Sequence, residues 1–85
     1  MNLQWTDESW DDYLYWQMTD KKMVKKINEL IKSIQRTPFD GVGKPEPLRF
    51  ELSGCWSRRI DSEHRLIYEV EERTIRIIAA RFHYS

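Results

Sequence analysis

The sequence predicts an α+β fold in which a short strand and a helical hairpin precede an antiparallel meander sheet. Apolar residues recur every three or four positions over about 30 residues of the first half, as in amphipathic helices. From residue 48 onward they recur every second position, as in strands. All three prolines and two of the three glycines lie between these regions, in TPFDGVGKPEP at 37–47. We expect the helices to cover one sheet face and the other face to be left open as a concave surface.

The first two predicted elements are an edge strand and a helix. Met1, Leu3 and Trp5 alternate with polar residues and would form one buried face of a short strand. Thr6 is predicted to cap the following helix, because its hydroxyl can accept a backbone N–H and the next two residues are acidic. This helix should run to about residue 18, with an apolar stripe formed by Trp10, Tyr13, Leu14 and Gln17.

A second helix should follow, with Thr19 as its N-cap. Its apolar stripe is Val24, Ile27, Leu30, Ile31 and Ile34. The rest of its surface is basic and is either a solvated or a partner-facing surface, formed by Lys21, Lys22, Lys25, Lys26 and Lys32. The density of proline and glycine in 37–47 then ends helical structure and predicts a loop with stiff parts.

Four strands are predicted after the loop, at 48–52, 55–60, 64–70 and 74–82, with connectors of hairpin length between them. Within the third, Leu66, Tyr68 and Val70 form the expected buried face. Arg65 would then lie on the opposite face, aimed into the open concavity, unless a bulge reverses the assignment.

Composition narrows the class of protein. A chain of 85 residues predicts one domain over 1–85, and no apolar run is long enough for a transmembrane span. The N-terminus has no pattern of a signal peptide, so we expect a cytoplasmic protein. Cys55 is the lone cysteine, which excludes an internal disulfide, and no zinc, Walker or dinucleotide motif is present. We therefore expect no metal and no cofactor.

The net charge is zero, which argues against a DNA-coating protein, but the basic residues are sorted by type. Five of six lysines precede residue 40, whereas seven of eight arginines follow it. Guanidinium groups bind phosphate bidentately and ammonium groups do not. The second half is therefore where an anionic ligand would bind, unless its arginines only form salt bridges on strand surfaces.

Three residue types in the second half could perform RNA strand transfer without a metal. Glu46 lies between Pro45 and Pro47, which restrict its backbone, although it could also be no more than an exposed residue in a rigid segment. Arg65 could stabilise a phosphorane, and His83 near the C-terminus could protonate a leaving oxygen or belong to an idle tail. A carboxylate, an arginine and a histidine are together sufficient for this reaction.

Several sequence blocks in register carry a resemblance to a known family. They are SWDDYLYWQ at 9–17, KINELIK at 26–32, GKPEPL at 43–48, WSRRI at 56–60, EHRLIYEV at 63–70 and the terminal RFHY at 81–84. The sequence resembles the YoeB branch of the RelE/ParE toxin superfamily over essentially its whole length.

The resemblance implies a RelE-like fold and a toxin of a type II toxin–antitoxin system. Such toxins are ribosome-dependent endoribonucleases that cleave mRNA in the A site and inhibit translation. Carried over by motif, Glu46 is the general base, Arg65 stabilises the phosphate and His83 is the general acid. The substrate-binding residues carried over in the same way are Tyr84, Arg59 and Arg49.

The resemblance also implies partners and marks departures. The expected partners are a YefM-like antitoxin, the 70S ribosome with its mRNA, and a second copy in a homodimer. Phe50 stands where close relatives often have histidine, and Ser85 extends the tail by one residue.

Two other functions stay open at the sequence level. ParE-like relatives of the same fold poison gyrase and need no acid–base set. A non-catalytic interaction module would use the helical hairpin to bind a partner.

Overall fold

The structure is a computed structural model, and it describes residues 1–82. The order of elements is β1 (Asn2–Trp5), α1 (Asp7–Thr19), α2 (Lys21–Arg36), β2 (Glu46–Pro47), a 3₁₀ turn (Phe50–Leu52), β3 (Trp56–Arg59), β4 (Arg65–Glu71) and β5 (Thr74–Ala79). Five strands form one sheet in the order β1-β5-β4-β3-β2. β2 pairs antiparallel with β3, β3 with β4, and β4 with β5. β1 lies at the edge and pairs parallel with β5. The predicted α+β class, the strand–helical hairpin–meander order and the RelE-like fold are confirmed.

The two helices pack on one face of the sheet, as expected. The stripe of α2 is buried there, with Ile27, Leu30 and Ile34 fully inaccessible to solvent. Leu66 and Tyr68 of β4 pack in the same cluster, which confirms their predicted face. Within residues 1–82, neither helix is both long and apolar enough to cross a membrane.

The stripe predicted for α1 was wrong except at Tyr13, which is partly buried against the core. The buried residues of α1 are Ser9 and Trp16, whereas Trp10 and Leu14 are exposed. The small Ser9 side chain leaves room for α1 to lie close to β5. Its hydroxyl then donates a 2.7 Å hydrogen bond to the Ile77 carbonyl. Trp16 is fixed in the same way by a hydrogen bond from Nε1 to the Ala80 carbonyl.

The N-cap of α1 is Thr6, as predicted, but the N-cap of α2 is Asp20 and not Thr19. The Thr19 hydroxyl donates to the Tyr15 carbonyl, so it belongs to the last turn of α1. Asp20 has the extended backbone of a cap, and its carboxylate accepts the Lys22 N–H. Met1, just before β1, and Leu3 within it are exposed, so the predicted buried face is limited to Trp5, which is half-buried.

The predicted strand at 48–52 was wrong. The strand next to β3 is the two-residue β2, and the chain then turns through the 3₁₀ segment. Phe50 has a φ of +58°, in the left-handed region, which is incompatible with an extended strand. The turn places Leu48, Leu52 and Cys55 against Ile67 and Ala79 in a second small cluster. This cluster covers part of the sheet face that we expected to be open.

The last strand ends at Ala79, earlier than the predicted residue 82. The register between β4 and β5 shifts from Tyr68 opposite Ile77 to Ile67 opposite Ala79, so Ile78 is an extra residue. Such an irregularity reverses which face later side chains occupy. Ala79 accordingly packs with Ile67 in the second cluster, whereas Ile75 and Ile77 pack against the helices.

Candidate active site

The register of three strands brings several predicted site residues to one face of the sheet. Glu46 of β2 lies opposite Ser57 of β3, and Arg59 of β3 lies opposite Arg65 of β4. Ser57 and Arg59 are two positions apart, so they point to the same side. Directly opposite residues in an antiparallel pair have Cβ atoms ~5 Å apart. The sheet thus collects one carboxylate and two guanidinium groups on one face.

These side chains line a cavity of about 270 Å³, together with Lys44, Pro45 and Ser57. Three cations (Lys44, Arg59 and Arg65) and one carboxylate (Glu46) give the cavity a formal charge of +2, in a chain whose net charge is zero. Like charges placed directly opposite across strands repel, and an anion between them removes the repulsion. The cavity is therefore suited to an anion.

Glu46 is exposed at the rim of the sheet, on a backbone fixed by its two proline neighbours. The segment before it is held in place from β3, since the Arg59 N–H donates a 2.7 Å hydrogen bond to the Gly43 carbonyl. Gly43 has a φ of +85°, and a Cβ there would lie 2.7 Å from Leu30 Cδ2. A residue larger than glycine would therefore displace either the Leu30 side chain or this segment, which leads to Glu46.

Arg65 is oriented by backbone groups. Its Nη1 donates to the carbonyl oxygens of Asp61 and His64, at 2.9 and 3.1 Å. Among residues 1–82, no hydrogen-bond partner is found for its Nη2, so this side of the fork can bind a ligand.

Asp61 organises the turn that precedes Arg65. Its carboxylate accepts the backbone N–H groups of Glu63 and His64. Burial acts to raise the pKa of Asp61, but these hydrogen bonds and the charge of Arg65 outweigh burial and leave the pKa below its usual value. The turn is therefore built around an ionised Asp61.

Arg58 and Arg59 are neighbours with opposite environments. Arg59 lines the cavity, whereas Arg58 is 0% exposed and lies on the helix side of the sheet. Its guanidinium donates five hydrogen bonds, to Ser33 Oγ, Tyr68 Oη and the carbonyls of Thr37, Asp40 and Val42. We call this set the Arg58 clasp. The clasp ties the end of α2 and the following loop to β3, and so fixes the approach to Glu46.

Tyr68 supports the clasp from β4. It accepts a hydrogen bond from Arg58 Nε and donates one to the Pro38 carbonyl, at 2.7 Å. Burial raises the pKa of the Tyr68 phenol, and the hydrogen bond and charge of Arg58 offset this only in part.

The remaining predicted residues lie elsewhere. Arg49 does not line the cavity; it borders a separate depression of about 160 Å³ with Phe50 and Leu52. Phe50 is 89% exposed. His83, Tyr84 and Ser85 lie outside the described residues.

Sequence reasoning missed Lys44 and Ser57 as lining residues. Both are within motifs that had been singled out, GKPEPL and WSRRI, and the parity of Ser57 with Arg59 would have placed it on the same face. Lys44 carried no such signal, because its place follows from a backbone with φ of +52° just before Pro45.

Comparisons with known proteins agree with this fold. A family model described as "YoeB-like toxin of bacterial type II toxin-antitoxin system" matches residues 5–84. Toxin YoeB of Escherichia coli K12 is 66% identical over 84 residues, covering 99% of this chain and all of that protein. Toxin YoeB of Synechocystis is 60% identical over 85 residues, covering 100% of this chain and 99% of that protein.

Solved structures are equally similar. A YoeB/ParE toxin from Agrobacterium tumefaciens has a TM-score of 0.97 at 55% identity, covering 99% of this chain and 100% of the other. A YoeB dimer and a heterotetrameric YoeB–YefM toxin–antitoxin complex from Staphylococcus aureus have TM-scores of 0.93 and 0.91, each at 49% identity, with 99% of this chain and 98% of the other covered. With this sheet, this cavity and these matches over nearly its whole length, the chain belongs to the YoeB family of toxins of bacterial type II toxin–antitoxin systems.

Proposed function

We propose that this toxin is a ribosome-dependent endoribonuclease that cleaves mRNA in the A site by metal-independent acid–base catalysis. The observation that carries the proposal is the cavity in which Arg59 and Arg65 lie opposite each other beside Glu46. Two apposed guanidinium groups suit a phosphodiester, and a carboxylate at their edge supplies a base.

In this mechanism Glu46 removes the proton of the ribose 2′-hydroxyl, and the resulting oxygen attacks the adjacent phosphorus. An exposed carboxylate at the mouth of the cavity can reach a substrate hydroxyl. Base catalysis of this kind contributes ~10²–10⁴-fold to a rate.

Negative charge then develops on the non-bridging oxygens of the phosphorane. Arg65 binds one of these oxygens through Nη2, since its Nη1 is bonded to the turn carbonyls. Arg59, on the neighbouring strand, binds another of them. Preoriented donors are effective here because they do not reorganise as the charge forms.

The P–O5′ bond breaks last, and the 5′-oxygen takes a proton from His83. The products are a 2′,3′-cyclic phosphate and a 5′-hydroxyl end, and the proton held by Glu46 balances the one delivered by His83. Tyr84 stacks on a nucleobase, and Arg49 contacts RNA outside the cavity.

The partners of this chain follow from its family. We propose that a YefM-like antitoxin neutralises it and that it also forms a homodimer, as in the S. aureus relatives. The ribosome supplies the mRNA in the orientation that the cavity needs.

The test is a cleavage assay with Glu46→Gln, using Glu51→Gln as the matched control. Both residues are exposed, so neither substitution should unfold the chain. We expect Glu46→Gln to lower cleavage of mRNA on programmed ribosomes by ~10²–10⁴-fold, and Glu51→Gln to leave it unchanged. The 5′ ends of the products are mapped, and the 3′ ends are examined for cyclic phosphate.

Full activity in Glu46→Gln would mean that the base lies elsewhere. Intact mRNA with gyrase-linked DNA breaks would instead select the ParE-like alternative.

A further inference from the structure

Beyond β5 the chain is held by side chains. The Ala80 N–H donates to Asp12 Oδ2 at 2.9 Å, and the Ala80 carbonyl accepts from Trp16 Nε1 at 2.8 Å. The Arg81 guanidinium lies 3.6 Å from the centre of the Tyr15 ring. α1 therefore fixes residues 80 and 81, although the strand has already ended at Ala79.

Phe82 is held at both backbone groups by two consecutive residues. Its N–H donates to Nδ1 of His64 at 2.7 Å, and its carbonyl accepts the Arg65 N–H at 2.9 Å. Phe82 has a φ of +68°, a left-handed conformation that is uncommon for a bulky residue. Such a conformation persists only where surrounding contacts determine it, and these two hydrogen bonds are such contacts.

The hydrogen bond defines the protonation of His64. A backbone N–H can only donate, so Nδ1 must carry a lone pair, and the proton of the neutral ring is on Nε2. Nε2 lies 3.7 Å from Glu63 Oε1. The ring packs edge-on against Trp16, with centroids 4.8 Å apart, and only 12% of the side chain is exposed. His64 is thus held in one orientation and one tautomer.

His64 is not placed to act as an acid in the cavity. Its ring lies against α1 on the helix side of the sheet, whereas Arg65 lines the cavity on the other side. His64 is joined to Arg65 by the peptide bond and by the Arg65 Nη1 hydrogen bond to the His64 carbonyl, and both residues also hydrogen-bond the backbone of Phe82.

We propose that His64 is a positioning residue for the C-terminal acid: its Nδ1 fixes the turn at Phe82, the residue that directly precedes His83 in the sequence. This inference rests on the proposed function, in which His83 protonates the leaving oxygen. Consecutive Cα atoms are about 3.8 Å apart, so a displacement of Phe82 is passed directly to the next residue. A misplacement of ~1 Å can lower a catalytic rate by ~10²-fold.

The test compares two substitutions of His64 in the full chain. His64→Asn places an amide oxygen near the position of Nδ1 and keeps an acceptor, whereas His64→Leu keeps apolar volume without one. We expect His64→Leu to lower the single-turnover cleavage rate on saturating programmed ribosomes by roughly 10- to 100-fold. The affinity for the ribosome should stay unchanged, and His64→Asn should recover most of the rate.

The hydrogen bond is measured separately, by amide hydrogen exchange at Phe82 and by the ¹⁵N shifts of the His64 ring. We expect the Phe82 amide to exchange slowly in the unaltered chain and in His64→Asn, and fast in His64→Leu. The ¹⁵N shifts of the unaltered chain should show the Nε2–H tautomer of His64. A wild-type rate in His64→Leu, or equal losses in both variants, would overturn the positioning role. If the unaltered chain cleaves no mRNA at all, the proposed function fails and the catalytic part of this inference fails with it; the Phe82 exchange rates then still decide whether His64 holds the turn.

Discussion

Replacing Arg58 by methionine should destabilise this protein more than any exposed arginine substitution. Methionine keeps much of the apolar volume but removes all five hydrogen bonds of the Arg58 clasp. The clasp closes the C-terminal end of α2, where a positive charge also favours the helix dipole. No carboxylate is among the five partners, so the substitution leaves no buried anion behind.

The expected loss in free energy of unfolding follows from the acceptors that lose Arg58 as their donor. The carbonyls of Thr37, Asp40 and Val42 belong to exposed residues and can be rehydrated in part. Ser33 is buried, and leaving its hydroxyl without the Arg58 partner costs about 1–3 kcal/mol. Tyr68 keeps its hydrogen bond to the Pro38 carbonyl and loses only the one from Arg58, which costs about 0.5–1.5 kcal/mol. We expect a total loss of ~3–4 kcal/mol, against a free energy of unfolding of ~4–13 kcal/mol for a chain of this length.

The assay is urea unfolding followed by tryptophan fluorescence, with Arg59→Met as the matched control. Arg59 is the next residue, carries the same charge and is exposed, so its substitution should change the free energy of unfolding by less than about 0.5 kcal/mol. Arg58→Lys should lie between the two, because a single ammonium group cannot reach acceptors on all sides. A difference of under 1 kcal/mol between Arg58→Met and Arg59→Met would refute the reasoning, since it would mean that water replaces the guanidinium at little cost.

Three further outcomes are expected. Arg65→Lys should lower cleavage nearly as much as Arg65→Ala, because lysine keeps the charge but loses the fork; a wild-type rate in the lysine variant would reduce Arg65 to a general positive charge. Deleting residues 83–85 should lower stability by at most ~1–2 kcal/mol by urea unfolding, because residues 80–82 keep their own hydrogen bonds, while cleavage falls to near background; a truncated chain that still cuts mRNA would show that the tail is idle. Burial raises the pKa of Tyr68, so the unfolded chain loses this proton first as pH rises, and stability should fall from about pH 10 upward. Tyr68→Phe should show a shallower fall in urea midpoint between about pH 9.5 and 11; parallel slopes for the two proteins would contradict the role of Tyr68.

Local patterns were enough to determine the class and order of this fold. The α2 stripe, the Thr6 cap and the end of α2 before Thr37 are each decided by neighbouring residues, and the structure has them where the sequence predicted them. The predicted loop at 37–47 was too long, because Glu46 and Pro47 pair with β3 as strand β2. The motif GKPEPL pointed to Glu46, and alternation within EHRLIYEV placed Arg65 on the face opposite Leu66 and Tyr68. The roles of Glu46, Arg65 and His83 in catalysis, and the single domain over 1–85, stay predictions.

Errors arose wherever a distant partner overrides a local pattern. The α1 stripe was misassigned because Ser9, a polar residue, is buried by its hydrogen bond to β5, 68 positions away. The supposed strand at 48–52 has strand-like residues, but the pairing of Pro47 with Trp56 and the positive φ of Phe50 turn it into a 3₁₀ segment.

The sequence by itself therefore determined the fold class, the family resemblance and the residue types available for chemistry. Only the tertiary structure decided that Arg58 belongs to the core while Arg59 lines the cavity, and that Lys44 and Ser57 complete the cavity. The physical reason is that alternation along a strand states which residues share a face but not which face meets the helices. That choice depends on strand register and on whether five acceptors from α2, the loop and β4 converge on one guanidinium.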